Sequence, residues 1–487
     1  MTMTTMRIWR LLHRFGRGSG RGTSLLSMIA FAAANTILLT VLGGVHGFIW
    51  RVSPDHTAWC MVSRQHCRPG AIAQAAALSA KTAADTGAQS YGEAYVVLAI
   101  FACVLLAVPF VALAGSAARL SASRRDAQLA ALRLIGATNA QVMRLTAVEA
   151  AGQAFVGALL GVAGYMALIP AVTLLTFQNR HFDFVQLWVG FAVIAVVCLG
   201  EMLLALISAL VMLRRVAITP LGVMQRVARP LPTRWRAVIF AVAVVVSVLV
   251  LKTRVLASRM STVWQIVIVI AVIVVCFALV NLVGTWAIAM RARRKVRHPR
   301  DAASMIAMRR ILDNPKRAWR NVSGIALAVF IAGITSIAGY VGATVKPPHS
   351  SDVAGIWLLK DIGTGGLLTL GFAAVLAAVS CGVMQAGNVY EQEREYRMLM
   401  LEGTDAKTMN AARRIEVFMP LNTVVVISGG CSMLLMLPLM AGLMVDPTTL
   451  LFFFGGIAAC YALVFIGVFA ANRVAAGLDL VHYRADD

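Results

Sequence analysis

The sequence predicts an all-α integral membrane protein with about ten transmembrane helices. Three observations carry that expectation. Of 487 residues, 60% are hydrophobic and only 13% are charged, with a mean hydropathy of +0.80. A soluble domain sits nearer half apolar and a quarter charged, so this chain cannot cover itself with polar surface and must meet lipid. Apolar stretches long enough to cross the hydrocarbon core, for which about 20 residues suffice, recur along the whole chain. Basic residues gather in short clusters between those stretches.

The candidate spans lie near residues 25–50, 93–117, 150–176, 185–213, 236–252, 262–290, 321–344, 362–388, 417–443 and 449–473. The fifth is the shortest. The first follows a tail carrying Arg7, Arg10, Arg14, Arg17 and Arg21. Its apolar run, Leu25 to Trp50, is too long for a signal-peptide core and no small-residue cleavage site follows it closely. It reads as a retained anchor with its N-terminus in the cytoplasm. With that orientation, about three quarters of the 44 Lys and Arg residues fall in cytoplasmic segments, as the positive-inside rule requires. The same rule places the C-terminus in the cytoplasm. The net charge of +23 therefore speaks for a membrane topology and against nucleic acid as a partner. The most basic segment, Arg291 to Arg320, reads as a solvated face drawn to anionic lipid headgroups, with a specific protein contact as the alternative.

Six of the eight cysteines lie in apolar runs and act as small hydrophobes. Cys60 and Cys67 share the first outside loop with Asp55, His56 and His66. A disulfide, two free thiols and a metal site all remain open there, although the spacing fits no standard zinc pattern.

An internal repeat links the segments after the second and eighth spans. Arg124–Ala150 reads RRDAQLAALRLIGATNAQVMRLTAVEA and Glu391–Val417 reads EQEREYRMLMLEGTDAKTMNAARRIEV. Aligning Gly136 with Gly403 also places Asp126 on Glu393, Leu132 on Leu399, Leu134 on Leu401 and Glu149 on Glu416, without a gap. In the first copy, residues 126–135 hold good helix formers and no Pro or Gly. Leu129, Leu132 and Ile135 form one apolar stripe. Gly136 is placed to stop that helix, and Thr138 with Gln141 matches a capping box for the next one. That next helix would pass Glu149 and feed the third span. The expected unit is a short helix, a tight glycine turn, and a helix entering the membrane. Two matched copies suit two pushing partners, each with its own docking site.

These residues resemble the FtsX-like permease family, ABC transporters of the mechanotransmission type. The resemblance rests on Arg124, Arg125, Leu129, Leu132, Arg133, Gly136, Ala137, Thr138 and Glu149 in the first copy. In the second it rests on Glu395, Leu399, Gly403, Thr404 and Glu416, and the exit RRVAITPLGVMQR from Arg214 to Arg226 adds to it. Gln128 and Met400 depart from the family pattern, and the exit after the tenth span lacks the proline. No large outside domain is present, unlike many family members. The resemblance implies two four-helix FtsX-like units joined by a two-helix connector. Residues 1–24 form a basic cytoplasmic tail, 25–213 the first unit, 214–320 the connector, 321–474 the second unit, and 475–487 the C-terminal tail. Parallel duplication of this kind is common among transporters.

Carried over from the family, residues 126–135 and 393–402 are coupling helices that dock on a cytoplasmic ABC ATPase subunit, two copies per chain. The coupling residues would be Arg125, Asp126, Leu129, Leu132, Arg133, Gly136, Thr138 and Glu149, with Glu393, Glu395, Leu399, Gly403 and Glu416. ATP and Mg would sit on that partner, and this chain would need no cofactor. It carries no Gly-x-x-x-x-Gly-Lys-Ser/Thr phosphate loop, no His-Glu-x-x-His pattern and no Gly-x-Ser-x-Gly elbow, so no catalytic residues are expected. The implied activity is export or extraction of a membrane-associated amphiphile, such as a lipid, antimicrobial peptide or hydrophobic drug, across a bacterial plasma membrane. A regulatory transducer in the same kind of complex and an ion-driven secondary transporter are the alternatives.

Glu201, in the fourth span, is the one acid firmly inside an apolar stretch and is a polar candidate for function. Asn281 in the sixth span is expected to bond between helices, and Gly157 with Gly161 to form a small-residue packing face.

Overall fold

The computed structural model describes residues 21–52, 86–123, 138–178, 180–217, 235–252, 262–344, 353–391, 398, 402–440 and parts of 454–469. In lipid every backbone N–H and C=O must be satisfied within its own segment, and the apolar runs accordingly fold as long helices. The first half holds α1 (Arg21–Val52), α2 (Thr86–Ser123), α3 (Asn139–Thr173), a ribbon of β1 (Thr176–Phe177) and β2 (Arg180–His181), α4 (Phe184–Leu187) and α5 (Gly190–Ala217). Then come α6 (Trp235–Lys252), α7 (Thr262–Arg297) and α8 (Ala302–Asp313). The second half holds α9 (Pro315–Thr344), α10 (Val353–Glu391) and α11 (Ala406–Met440). Pro109 and Pro170 sit inside α2 and α3, as membrane helices tolerate.

Among the described residues, 7 helices are long and apolar enough to cross a membrane: α1, α2, α3, α5, α7, α10 and α11. The expected fifth span coincides with a shorter apolar helix, Trp235–Leu249. The expected seventh lies within α9, and helical residues within 454–469 occupy the expected tenth. The protein is an all-α multi-pass membrane protein. To that the structure adds one small β ribbon, with Thr176 opposite His181 and Phe177 opposite Arg180.

The packing repeats between the halves. α1 packs along both α2 and α3, and α9 packs along both α10 and α11. α5 closes the first half against α2 and α3. The halves meet chiefly where α2 lies on α10. The pair α6 and α7 packs mainly on the second half, through α11, while α7 also touches α2. Small residues line these seams: Ala30, Ala34, Ala114, Ala117 and Ala154 in the first half, Ala326, Ala328, Ala373 and Ala377 in the second. Lipid gives no hydrophobic push between helices, so close backbone approach and dispersion must hold them together.

The seam between α1 and α3 shows how close that approach is. A Cβ added at Gly157 would collide with Phe31 Cβ and come within 3.0 Å of Met28 O. One added at Gly161 would lie 2.6 Å from Asn35 Cβ and 2.9 Å from Ala32 O. Thr36 Oγ1 donates to Gly161 O at 3.1 Å across the same seam. The small-residue face expected at Gly157 and Gly161 is thus a packing face. Asn281 differs from expectation: its amide donates to Phe277 O, four residues back in its own helix, at 3.1 Å.

α5 buries little of itself. Phe191, Val196, Leu199, Leu203, Ile207 and Val211 stand exposed along one side. That apolar face is what a helix at the rim of a bundle presents to acyl chains.

The basic segment from Arg291 to Arg320 is only partly a solvated face. Arg293, Arg294, Lys295, Arg297, Arg300 and Arg309 are exposed. Within it, α8 buries Ala303, Ala307, Met308 and Ile311 against the bundle, mainly on α11 and α7. The spacing of those four residues, one apolar stripe per turn, is the signal that makes it a docked amphipathic helix.

Candidate functional site

Three groups of residues stand out: the two elbows expected to receive force, a polar clasp at the opposite end of the bundle, and Glu201 between them.

At the first elbow Thr138 sits in extended backbone, φ −72° and ψ 153°, just before α3. Its Oγ1 accepts from Gln141 N at 3.3 Å, and its own N–H donates to Gln141 Oε1 at 3.0 Å. This is the reciprocal capping box expected from the sequence. At the second elbow Gly403 has φ +89°, the left-handed region in which a side chain would be strained. Glu402 N donates to Met398 O at 2.9 Å immediately before it, so a helical turn ends on this glycine.

Each elbow leads into a helix of 35 residues, α3 and α11, with no break between the elbow and the membrane interior. Glu149 and Glu416 occupy the same position in those helices, ten residues past the start (149 − 139 and 416 − 406). Glu416 lies 4.0 Å from Arg310 of α8, with little of either side chain exposed. Arg125, Asp126, Leu129, Leu132, Arg133 and Gly136 lie outside the described residues, as do Glu393, Glu395 and Leu399. Cys60 and Cys67 also lie outside them.

The opposite end carries a polar clasp that sequence reasoning did not single out. Arg51, at the end of α1, is 9% exposed. Its Nη1 donates to Phe177 O at 2.9 Å and to Gln178 Oε1 at 3.2 Å, and its Nη2 donates to His181 O at 2.8 Å. Its Nε donates to Gln186 Oε1 at 3.3 Å, and its guanidinium lies 4.0 Å from the Phe182 ring centroid. One cation thus holds the ribbon and α4 onto α1. Arginine suits this role because its planar fork offers several fixed donors and also stacks on an aromatic face.

The ribbon in turn reaches the second half. Asp361, near the start of α10, accepts from Tyr95 Oη of α2 and from Gln178 N of the ribbon, each at 2.6 Å. Gln178 has φ +56° and is the one non-glycine residue with positive φ among those described. Phe48, Tyr95, Phe177 and Phe182 pack ring to ring around these bonds. The clasp unites three pieces of the first half, α1, α2 and the ribbon, with one acid of the second. Arg51 and Asp361 stand at span boundaries in the sequence, where charge is ordinary. Only their meeting distinguishes them.

Glu201 lies in α5, 1% exposed, and neither carboxylate oxygen has a hydrogen-bond partner. Near it Asn35 of α1 donates to Ala158 O of α3 at 2.8 Å and contacts Cys198 Sγ of α5 at 3.7 Å. Asn35 Oδ1 is buried and likewise unpartnered.

No match to the chain is found among curated proteins. Residues 97–218 match the family model described as FtsX-like permease C-terminal. That stretch starts inside α2 and takes in the Thr138 elbow, α3, the ribbon and all of α5. Through this region the chain resembles the FtsX-like permease family, whose members are membrane subunits of the ABC-permease type.

Proposed function

We propose that the chain is the transmembrane permease subunit of an ABC transporter that couples ATP hydrolysis on a separate subunit to export or extraction of a membrane-associated amphiphile. Permeases of this family generally work with an ABC ATPase. The elbow end of the bundle faces the cytoplasm of a bacterial cell, with both termini on that side. One ATPase subunit docks at each elbow, through residues 126–135 and 393–402. ATP and Mg stay on those subunits.

The observation that carries this reading is the pair of matched long helices beyond the elbows. α3 and α11 have equal length and similar starts, a capping box in one and a left-handed glycine before the other. At 1.5 Å per residue each spans about 50 Å, enough to carry a push from one face of a bilayer to the other. Helical structure continues through both, with Pro170 near the far end of α3 and Pro420 and Pro438 within α11, so a push at the elbow displaces the helix and can bend it at those prolines. The contact of α2 with α10 lies where two duplicated four-helix units, related by an axis along the membrane normal, would meet.

The test is association. The full chain is purified with its ATPase, and Gly136→Val and Gly403→Val are compared with wild type. Each variant is expected to lose ATPase binding and stimulation at its own elbow, with the unfolding midpoint in lipid nanodiscs read alongside to separate this from the backbone strain that Val brings at the Gly403 φ of +89°. Undiminished binding and stimulation in both variants would refute the docking assignment. Substrate movement is read separately, as ATP-dependent departure of a labelled lipid or peptide from the reconstituted membrane. ATPase stimulation with no such movement for any amphiphile favours the transducer alternative.

A further inference from the structure

We propose that Glu201 is an intramembrane proton-binding site, with its carboxyl protonated and its hydroxyl donating to Asn35 Oδ1. The argument begins with unpaired atoms. Glu201 Oε1, Glu201 Oε2 and Asn35 Oδ1 are all buried acceptors without a donor. The orientation of Asn35 is fixed by chemistry, because Ala158 O can only accept and so takes the amide N–H₂. Its carbonyl oxygen is left to seek a donor.

The two residues face the same seam. Asn35 touches Cys198, which lies one turn before Glu201 on α5. Helical side chains lean toward the N-terminus of their helix, so the Glu201 carboxyl is carried back toward the Cys198–Asn35 contact. α5 packs on α1, α2 and α3, and among the described residues no basic group bonds either Glu201 oxygen. The charged residues of those helices stand near their ends: Arg21, His46 and Arg51 on α1, Glu93 and Arg119 on α2, Arg144 and Glu149 on α3. The other titratable groups in the apolar stretches of these helices are Tyr95, Cys103, Tyr165 and Cys198, and Tyr95 Oη is committed to Asp361 and Tyr165 Oη to Leu187 O.

An ionised carboxylate buried without a partner is costly, and a protein normally neutralises it instead. A single proton answers this need. It removes the charge, turns one orphan acceptor into a donor and satisfies Asn35 Oδ1. A hard metal cation fits less well, since it seeks six or more oxygen ligands and the described residues of α1, α3 and α5 leave four buried side-chain acceptors unpaired, the Glu201 pair, Asn35 Oδ1 and Gln153 Oε1. The site lies away from both elbows and does not depend on the docking proposal.

The test uses the full chain in lipid nanodiscs at neutral pH. The infrared difference spectrum, wild type minus Glu201→Gln, is expected to show the carbonyl stretch of a protonated carboxylic acid, unchanged by sodium. Asn35→Leu is expected to shift that band. Dicyclohexylcarbodiimide, which reacts with protonated carboxyls in apolar surroundings, is expected to leave its adduct on Glu201 and not on Glu93 or Glu149. A difference spectrum holding only carboxylate bands would overturn the proposal. So would loss of the acid band on adding sodium, which would point to a cation site. An unmoved band in Asn35→Leu would sink the pairing with Asn35. Should Glu201→Gln fail to fold, the adduct on wild type, together with the band shift in Asn35→Leu, still decides the matter.

Discussion

Removing the clasp acid is the most direct way to separate the halves at the ribbon end. Asp361 accepts two hydrogen bonds at 2.6 Å, from Tyr95 Oη and from Gln178 N, and is 5% exposed. Asp361→Ala leaves both donors without that acceptor, and a buried group so stranded costs about 1–3 kcal/mol. The Gln178 loss is compounded by its φ of +56°, which the Asp361 bond helps to hold. The combined destabilisation is therefore about 2–5 kcal/mol. Both bonds end on one oxygen, Oδ2, so Asp361→Asn can place its carbonyl oxygen there, keep both acceptors and cost far less than Asp361→Ala. Tyr95→Phe removes one donor for about 1–2 kcal/mol. The decisive measurement is a double-mutant cycle of Tyr95→Phe with Asp361→Ala, read from denaturant unfolding in mixed micelles. Directly bonded residues should show a coupling of about 1–2 kcal/mol. Additivity within about 0.5 kcal/mol would mean that the two residues do not hold each other, and the clasp would then not join the halves.

Arg51→Lys should destabilise by about 2 kcal/mol or more, because an ammonium cannot reach the Phe177, Gln178, His181 and Gln186 oxygens together; hydrogen exchange of the ribbon amides reports the loosening. Gly157→Val forces α1 away from α3 and should cost about 1–3 kcal/mol, read as a lowered unfolding midpoint, whereas Gly152→Ala, where an added Cβ meets nothing, should be silent. Thr138→Ala removes the cap of α3 and should cost about 1 kcal/mol, with faster exchange confined to its first turn and rescue by Thr138→Ser.

How much of this was legible beforehand varies by kind of signal. The spans were, because hydrophobic length alone decides them in lipid. So was the first elbow, since a capping box is a contact over three residues and is written locally as Thr138 and Gln141. Gly403 was legible through its alignment with Gly136, the expected stop of the first copy, and its φ of +89° fits that role. The docked face of α8 was written in Ala303, Ala307, Met308 and Ile311, but the dense Arg and Lys around it drew attention to the solvated side.

The sequence by itself determined that this chain is a multi-pass helical membrane protein with an FtsX-like first elbow, because burying backbone in lipid leaves few alternatives and the elbow chemistry is local. Only the tertiary structure decided that Arg51, Tyr95, Gln178 and Asp361 form one clasp, and that Glu201 lies unpaired in the seam holding Asn35. Those groups come from segments far apart in the chain, and each alone is ordinary. Their meaning arises from helices crossing at one depth, and a one-dimensional pattern does not encode that depth.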